Sequence, residues 1–173
     1  KPGKILVKVA TSFTSIDNAR KNLAAEIPGW NFNEVRQASS DIWNQALGQI
    51  AVKGNNEKEK VKFYSALYNA HFLPRTFSDV DGSYPRFDGD GLIMKMDHGT
   101  YYCDFSQWDT YRAVHPLFSI LTPSRNGDMA HSLVLKGQQG GWLPIFPSWN
   151  SYTAAMIGDH CIATRSEAHT SEL

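Results

Sequence analysis

The chain has 173 residues, and 17 Lys and Arg are balanced by 17 Asp and Glu, so its formal net charge is zero. That balance gives no support for a nucleic-acid or anionic-membrane partner, and no run approaches the ~18 apolar residues of a membrane span. The length suits one ordinary domain with a sizeable core. Two cysteines, Cys103 and Cys161, make no disulfide framework and lack zinc-ligand spacing, so both are predicted to be buried free thiols.

Residues 4–10 are rich in β-branched side chains and are predicted to form a strand. A lone strand is not stable, because its edges need hydrogen-bonding partners. We therefore expect the sheet of this strand to lie upstream of the chain.

The first helix is predicted to begin after Ser15 and to stop at Pro28-Gly29. Its apolar residues recur at spacings of three, four and four, which predicts a stripe that faces a core: Ile16, Ala19, Leu23 and Ile27. The other face is charged or polar, so the helix is expected to lie on a surface and to act as a connector.

Two more helices follow. Asn33 is predicted to cap the second one, whose broad apolar stripe extends to Ile50. The third helix begins in the charged run 57–60 and is apolar almost all round over residues 61–72, which predicts burial on most sides before Pro74 closes it. Paired helices without alternating strands predict an all-α fold built of helical hairpins.

A long irregular segment, residues 75–100, contains two runs rich in Asp and Gly. The first run is similar to a calcium loop, but an EF-hand starting at Asp79 needs Gly at its sixth position and Glu at its twelfth, where this chain has Tyr84 and Asp90. Both runs are therefore predicted to be turns in which Gly supplies a positive φ. The segment is expected to return as a short extended piece over residues 100–103.

The densest cluster of chemistry-bearing side chains lies at residues 104–115. Ser106 is predicted to be a helix N-cap, and Asp109 then falls in the first turn, where a carboxylate is favoured by the helix dipole. Trp108, Asp109 and Arg112 would meet at the open end of this helix, and an aromatic wall, a carboxylate and a fixed cation suit a polyhydroxylated ligand. The alternative interpretation is a Trp core anchor beside a surface Asp–Arg ion pair.

The same helix is expected to continue beyond the cluster. Apolar residues follow Asp109 at spacings of four, four and three, which predicts one core-facing stripe: Ala113, Leu117 and Ile120. Pro116 lies inside this pattern and is predicted to kink the helix or to end its first half near His115.

A further helix is predicted to start at residues 126–128 and to end at residues 140–141. Its core side is predicted to carry three apolar residues: Met129, Leu133 and Val134. Residues 142–149 form an aromatic, Pro-containing loop, for which lining a sugar cleft and plain packing both remain open. Ser151 is predicted to begin a last helix.

Residues 165–173 are polar and have no periodic face. The string looks like the translated read-through of a common sequencing adapter. Residues 164–173 are therefore interpreted as a non-native tail and excluded from fold reasoning.

Three segments carry a resemblance to one family. Residues 104–112 (DFSQWDTYR), followed by His115-Pro116-Leu117, closely resemble the signature of glycoside hydrolase family 92, a family of bacterial, calcium-dependent, exo-acting α-mannosidases. Residues 63–68 (FYSALY) and the run from GGWLP to MIGDH within 140–160 are similar to the same family in order and spacing. Gln107 departs from the pattern, since an apolar residue is expected there, and Cys103 stands where a small polar residue is expected.

The resemblance covers roughly residues 1–163 and implies a domain organisation. Residues 1–12 would end an N-terminal β-sandwich with its last strand, and residues 13–30 would form a linker helix. Residues 31–163 would form the first part of an (α/α)₆ barrel, an all-α catalytic domain. The chain is then expected to be a fragment truncated at both ends.

The same resemblance implies an inverting exo-α-mannosidase that releases mannose from α-linked mannosides such as N-glycans or mannans. The family uses a Glu as acid, an Asp as base and a calcium ion at the substrate site, and all of these are expected in later helices. Neither a catalytic residue nor a metal ligand is therefore assigned within this chain, and the fragment is expected to be inactive.

Carried over residue by residue, the resemblance assigns Trp108 and Asp109 to the subsite that holds the terminal mannose. Asp109 would accept hydrogen bonds from sugar hydroxyls, and Trp108 would supply a hydrophobic wall. Arg112 would orient Asp109 or Asp104, and Asp104 is the fourth candidate for substrate binding.

Asp159 and His160 fit either that subsite or a structural role. A different function class also remains: a non-catalytic helical-repeat interaction module or carbohydrate-binding module, whose aromatic residues would only form core. For the enzyme, the expected partner is an α-mannoside glycan and the expected location of the complete protein is periplasmic or secreted. The linkage specificity and the oligomeric state are left open.

Overall fold

The computed structural model describes residue 3 and residues 5–164. The tail predicted over residues 164–173 lies outside this part of the chain except for Thr164, which is buried and whose hydroxyl donates to Gln107 Oε1 at 2.7 Å. Within the described residues, no helix is both long and apolar enough to cross a membrane.

Helices dominate the first part of the chain: α1 (Ile16–Glu26), α2 (Phe32–Leu47) and α3 (Glu57–Ala70). Each begins at a side chain that accepts a backbone N–H of the first turn, namely Ser15 for α1, Asn31 for α2 and Asn56 for α3. The predicted cap of α2, Asn33, was wrong, since Asn33 already lies inside the helix and donates its backbone N–H to Asn31 Oδ1 at 3.1 Å.

The buried face of α1 is polar, which corrects the predicted apolar stripe. Asn18 and Asn22 are buried, whereas Ile16 is 75% exposed. The cause is Asp79, a buried carboxylate that accepts from Asn22 Nδ2 at 2.7 Å and from Asn18 Nδ2 at 3.2 Å. A buried charge requires donors, so it turns the amide face of α1 inward.

The strand predicted at residues 4–10 is not observed, because residues 5–10 have no strand pairing. Ile5 is 87% and Val7 77% exposed. A strand is held by hydrogen bonds to a neighbour, and none of the described strands runs beside this segment. The β-sandwich therefore stays a prediction.

Helices α2 and α3 pack against each other through aromatic rings. The ring centroids of Trp43 and Tyr68 lie 4.3 Å apart, and Tyr68 also meets Phe72. The burial predicted for most sides of α3 was wrong, since Leu67 is the one buried residue of that helix and Val61 is 65% exposed. The reason is that no described element covers the far side of the pair.

Four short strands organise residues 75–103: β1 (Arg75–Thr76), β2 (Ser83–Pro85), β3 (Ile93–Lys95) and β4 (Tyr102–Cys103). β1 pairs with β4 and β2 pairs with β3, both antiparallel. The predicted turns are confirmed, with Gly82 at φ 82° and Gly89 at φ 81°. The extended return of residues 100–103 is confirmed by β4.

The signature and the residues after it form three helices: α4 (Gln107–Thr110), α5 (Val114–Leu121) and α6 (Pro123–Gly140). The helix is interrupted, as one of the two outcomes predicted for Pro116 required, but the break comes earlier than expected, because the chain leaves the helix after α4 and restarts at Val114. Pro116 then falls in the first turn of α5, where its missing N–H costs no hydrogen bond. The shift buries His115 and Phe118 and leaves Ala113 and Ile120 exposed.

Helix α6 begins earlier than predicted, at Pro123, and ends as predicted before Gly141, which has φ 91°. The helix predicted from Ser151 was wrong. Ser148 and Ser151 form a bridge, the Thr153 hydroxyl donates to the Phe146 carbonyl at 2.7 Å, and helical structure returns only at residues 161–164. These bonds fold the segment back on the aromatic loop.

β4 separates two apolar clusters, since successive strand residues point to opposite faces. Tyr102 joins the first cluster with a residue just after β4, with residues of α5 and α6, and with a residue beyond α6: Phe105, Phe118, Met129, Leu133 and Cys161. Tyr101 and Cys103 join the second with three residues of the irregular segment: Phe77, Tyr84 and Met96. The burial predicted for Met129, Leu133, Cys103 and Cys161 is confirmed. The signature therefore starts at the centre of the molecule.

Candidate functional site

Asp104 follows β4 directly and is held in the left-handed region at φ 61°. Its carboxylate is buried and has two partners: Arg75 Nε donates to Oδ2, and the backbone N–H of Trp149 donates to Oδ1 at 2.9 Å. The Arg75 guanidinium lies over the Trp149 ring, 4.7 Å from its centroid. The sequence singled out Asp104 but gave no signal for Arg75, which lies far away in the chain.

Asp109 lies on the surface of α4, and the Ser106 hydroxyl donates to its Oδ2. The predicted capping bond from Ser106 to the backbone was wrong, because this hydroxyl is engaged by the carboxylate. Asp109 thus presents acceptor oxygens to solvent from a fixed short turn.

Trp108 and Arg112 are brought together with two aromatic residues. Arg112 Cζ lies 5.2 Å from the Trp108 ring centroid and 5.0 Å from that of Tyr111, and its Nε donates to the Tyr111 hydroxyl at 2.8 Å. The orienting role predicted for Arg112 is not seen, since among the described residues it forms no ion pair with Asp109 or Asp104. The Arg112 guanidinium packs against its aromatic neighbours instead.

His160 completes this aromatic group, although it lies far along the chain. Its ring stacks on Tyr111 at 4.0 Å with an interplanar angle of 6°, and its centroid lies 5.4 Å from that of Trp108. A Cβ at Gly158, where φ is 93°, would come within 2.6 Å of His160 Nε2. Glycine at position 158 therefore leaves room for the imidazole, and His160 at least braces the Trp108 wall.

The aromatic loop is tied to the signature at two places. The Gln107 N–H donates to the Ile145 carbonyl at 3.3 Å, and Trp149 is bonded to Asp104 as described above. An open apolar cavity of about 280 Å³ lies within the loop, between Trp142 and Tyr152. Loop and signature therefore form one surface, with Trp142 at 79% and Trp149 at 68% exposure.

Sequence reasoning missed the buried amine of Lys136. Its Nζ donates to the Tyr102 carbonyl at 2.7 Å and lies 3.5 Å from the centre of the Tyr101 ring. Burial lowers the pKa of Lys136 to about 7, while Cys103 and Asp104 act against that shift. A signal was present, because Lys136 continues the core-facing spacing of Met129 and Leu133.

His115 is another buried polar residue, and its Nδ1 lies 3.1 Å from Asn126 Oδ1. Burial lowers the pKa of His115, and the bond to Asn126 opposes the shift. Its contacts lie inside the first apolar cluster, with the Phe105 ring 6.4 Å away. His115 is therefore a structural residue of the core beneath the signature.

The described residues contain no group of three or more His, Cys, Asp and Glu side chains that could hold a metal ion. Asp104 and Asp109 point to different partners, so they do not form such a group. This part of the chain presents exposed aromatic rings beside a carboxylate and guanidinium groups.

The fold is similar to solved α-mannosidase structures from Bacteroides thetaiotaomicron. A family GH92 α-mannosidase solved with mannoimidazole shares 34% identity at a TM-score of 0.84, with 93% of this chain and 21% of that chain covered. A family GH92 inverting mannosidase shares 27% identity at a TM-score of 0.83, with 92% and 21% covered. The chain thus spans about a fifth of the length of these enzymes.

A curated relative in Arthroderma benhamiae, an uncharacterised secreted glycosidase, is 32% identical over 81 residues, which cover 44% of this chain and 10% of that protein. The model of the glycosyl hydrolase family 92 catalytic domain matches residues 18–173, most of the chain. These matches agree with the motifs at residues 104–112 and 140–160. The chain therefore belongs to glycosyl hydrolase family 92.

Proposed function

We propose that this chain is part of an exo-α-mannosidase that inverts the anomeric configuration and releases mannose from α-linked mannosides such as N-glycans or mannans. The observation that carries the proposal is the surface formed by α4 and the residues just after it. There Arg112 stacks on Trp108 and Asp109 is exposed, in a family whose solved relatives are mannosidases. The relative solved with mannoimidazole supports a mannoside as the substrate.

The terminal mannose is held, in this proposal, by Trp108 and Asp109. The half-buried indole provides an apolar wall for the C–H face of the sugar, and the exposed Asp109 carboxylate accepts from its hydroxyls. Arg112 fixes the indole through their stacking and offers N–H donors at the same surface. Asp104 contributes to substrate binding through the groups that its carboxylate holds.

The catalytic acid, the catalytic base and a calcium ion belong to the complete enzyme in this proposal, held by residues beyond this chain. The described residues do not fit a calcium site, since they bring no three ligating side chains together. Hydrolysis with inversion needs an acid and a base on opposite sides of the scissile bond. We therefore expect this chain alone to turn over no mannoside, and we place the complete enzyme in the periplasm or outside the cell, as the secreted relative suggests.

The direct test is Asp109→Ala in the complete enzyme. The loss of one charge-assisted hydrogen bond to a sugar hydroxyl costs about 1–3 kcal/mol, so kcat/KM for an aryl α-mannoside should fall roughly ten- to a hundredfold. Asp17→Ala is the matched control, because Asp17 is an exposed carboxylate whose ion pair with Arg20 lies on the surface of α1. Unchanged kinetics in Asp109→Ala would remove this residue from the site.

A further inference from the structure

We propose that Trp149 and Arg75 form a second sugar subsite, which binds the pyranose next to the terminal mannose, and that Asp104 is the positioning residue that holds both. The inference rests on the proposed function and adds a subsite to it. It starts from the corner at residues 149–150, where the aromatic loop ends and where Trp149 is exposed.

Two consecutive non-glycine residues at this corner have left-handed backbone conformations. Trp149 has φ 50° and Asn150 has φ 60°, and their support, Asp104, has φ 61°. Each such residue costs roughly 1–3 kcal/mol and persists only where the surroundings fix it. Asn and Asp adopt this conformation more readily than other side chains do, so Trp149 is the unusual residue of the three.

The surroundings do fix the corner, through bonds to both backbone N–H groups. Trp149 N–H donates to Asp104 Oδ1 at 2.9 Å, and Asn150 N–H donates to Cys103 Sγ at 3.3 Å. The buried Asn150 side chain donates to the Pro85 carbonyl at 2.6 Å and accepts from the Tyr101 hydroxyl at 2.7 Å. The polar side of the corner is thus anchored in the second apolar cluster.

This network points Trp149 outward. The residue is 68% exposed although it carries a large apolar ring, and the Phe13 ring meets it only at an edge, 6.3 Å between centroids. Burial of such a ring would be favourable, since the hydrophobic effect removes apolar area from water. Instead, three residues with left-handed backbone conformations and the buried Asp104 carboxylate hold the Trp149 ring at the surface.

Arg75 places hydrogen-bond donors beside the exposed Trp149 ring. Its guanidinium lies 4.7 Å from the Trp149 centroid and is bound by Asp104 Oδ2, yet the side chain remains 44% exposed. A rigid aromatic face beside N–H donors matches a pyranose ring, whose C–H face is apolar and whose rim carries hydroxyls. A neutral hexose therefore fits this pair.

The second subsite lies beside the signature that carries the proposed mannose subsite, because the Trp149 N–H donates to Asp104 Oδ1 at 2.9 Å. Trp108 is the fourth residue after Asp104, and an extended chain of that length spans at most about 14 Å. Trp149 is hydrogen-bonded to Asp104, the first residue of segment 104–108, and Trp108 is the last residue of that segment. A disaccharide that placed its terminal mannose at Trp108 could thus reach Trp149 with its second ring.

The test compares one sugar ring with two on the full chain, by calorimetric titration with methyl α-mannopyranoside and with the α-1,2, α-1,3 and α-1,6 mannobioses. We expect at least one mannobiose to bind about three- to tenfold more tightly than the monosaccharide, the gain that one aromatic contact gives. Trp149→Ala should remove that gain and leave monosaccharide binding unchanged. Arg75→Met, which keeps the aliphatic stem, should remove part of it.

Trp30→Ala is the matched control, because Trp30 is 60% exposed and Lys8 Nζ lies 4.5 Å from its ring centroid, so it is also an exposed ring with a cation. That variant should keep the preference. Equal binding of one ring and two by the wild-type chain, or a preference that survives Trp149→Ala, would overturn this subsite while the proposed function stands. Binding of neither sugar would contradict both.

Discussion

The helix pair α2–α3 and the region from β1 to residue 164 bury their side chains to very different extents. α2 has no buried residue, and α3 has only Leu67. Of the residues that the structure describes, every other buried hydrophobic one lies between Phe77 and Cys161. Both regions have similar aromatic content in sequence, so composition did not separate them.

The contrast shows that the apolar face of a helix sets how much side-chain surface the helix can bury. How much of that surface is buried depends on whether another element packs over the face. α3 keeps Val61 exposed because no described element lies over it. In the other region, even polar groups such as Lys136 and Gln107 are fully buried, because β4 and α6 meet there. The candidate site lies on this densely packed region, which gives its side chains fixed positions.

The difference in burial between the two regions is tested most strongly by truncating one phenylalanine in each region. Phe118 in α5 is fully buried, so Phe118→Ala should reduce the free energy of unfolding by about 3–5 kcal/mol. Phe32 in α2 is 70% exposed, and Phe32→Ala should change it by no more than ~0.5 kcal/mol. Urea unfolding followed by circular dichroism measures both, and equal losses would refute the contrast.

The link between α1 and the packed region is expected to depend on Asp79. It accepts from Ser12, Thr14, Asn18 and Asn22, so Asp79→Ala leaves buried donors unpaired at a local cost of about 2 kcal/mol. Amide hydrogens of α1 should then exchange roughly thirtyfold faster while those of α6 are unchanged.

Asp81→Ala is the control for that experiment. Asp81 also joins the same segment to α1, through its ion pair with Lys21, but this pair is solvent-exposed and should leave exchange in α1 nearly unchanged. If the two variants loosened α1 equally, the buried carboxylate would not be what orients the helix.

Lys136 predicts a pH dependence for the packed region. Its pKa is about 7 in the fold and about 10.5 in the unfolded chain, so between these values the unfolded state binds the extra proton and stability rises with pH. From pH 7 to 8.5 the gain should be about 1–2 kcal/mol. Above that range the Cys103 thiol opposes the rise, because burial raises its pKa and disfavours its ionisation in the fold.

Lys136→Met should remove this rise, since it replaces the amine with an apolar side chain of similar length. Lys62→Met, at an exposed position of α3, should preserve it. Unfolding curves at several pH values measure the difference, and a flat wild-type profile from pH 7 to 8.5 would show that the amine is not neutralised by burial.

Much of the fold was predictable where the signal is local. Ser15 caps α1 and Gly141 ends α6 because caps and left-handed stops depend on the residues themselves. The inward face of α1 and the helix after Ser151 were wrong, because each depends on a partner elsewhere in the chain. The strand predicted at residues 4–10 is not observed, and the sheet expected to pair with it stays a prediction. Asp79 decides the orientation of α1 from far outside that helix.

The candidate site divides in the same way. Spacing along the signature predicted that Trp108, Asp109 and Arg112 lie on one short stretch of surface, and their place in substrate binding stays a prediction. The contacts of Asp104 with Arg75 and of Tyr111 with His160 join distant parts of the chain. No local pattern in a single sequence carries that information.

The central claim is that the surface around Trp108 and Asp109 binds an α-mannoside, and its most direct measurement is a nuclear magnetic resonance titration of the chain with mannoimidazole. We predict that the largest shifts appear in the Trp108 indole and in the backbone of residues 106–112, with those of α2 and α3 unchanged. No saturable shift, or shifts confined to the exposed faces of α2 and α3, would contradict the account and favour a helical interaction module.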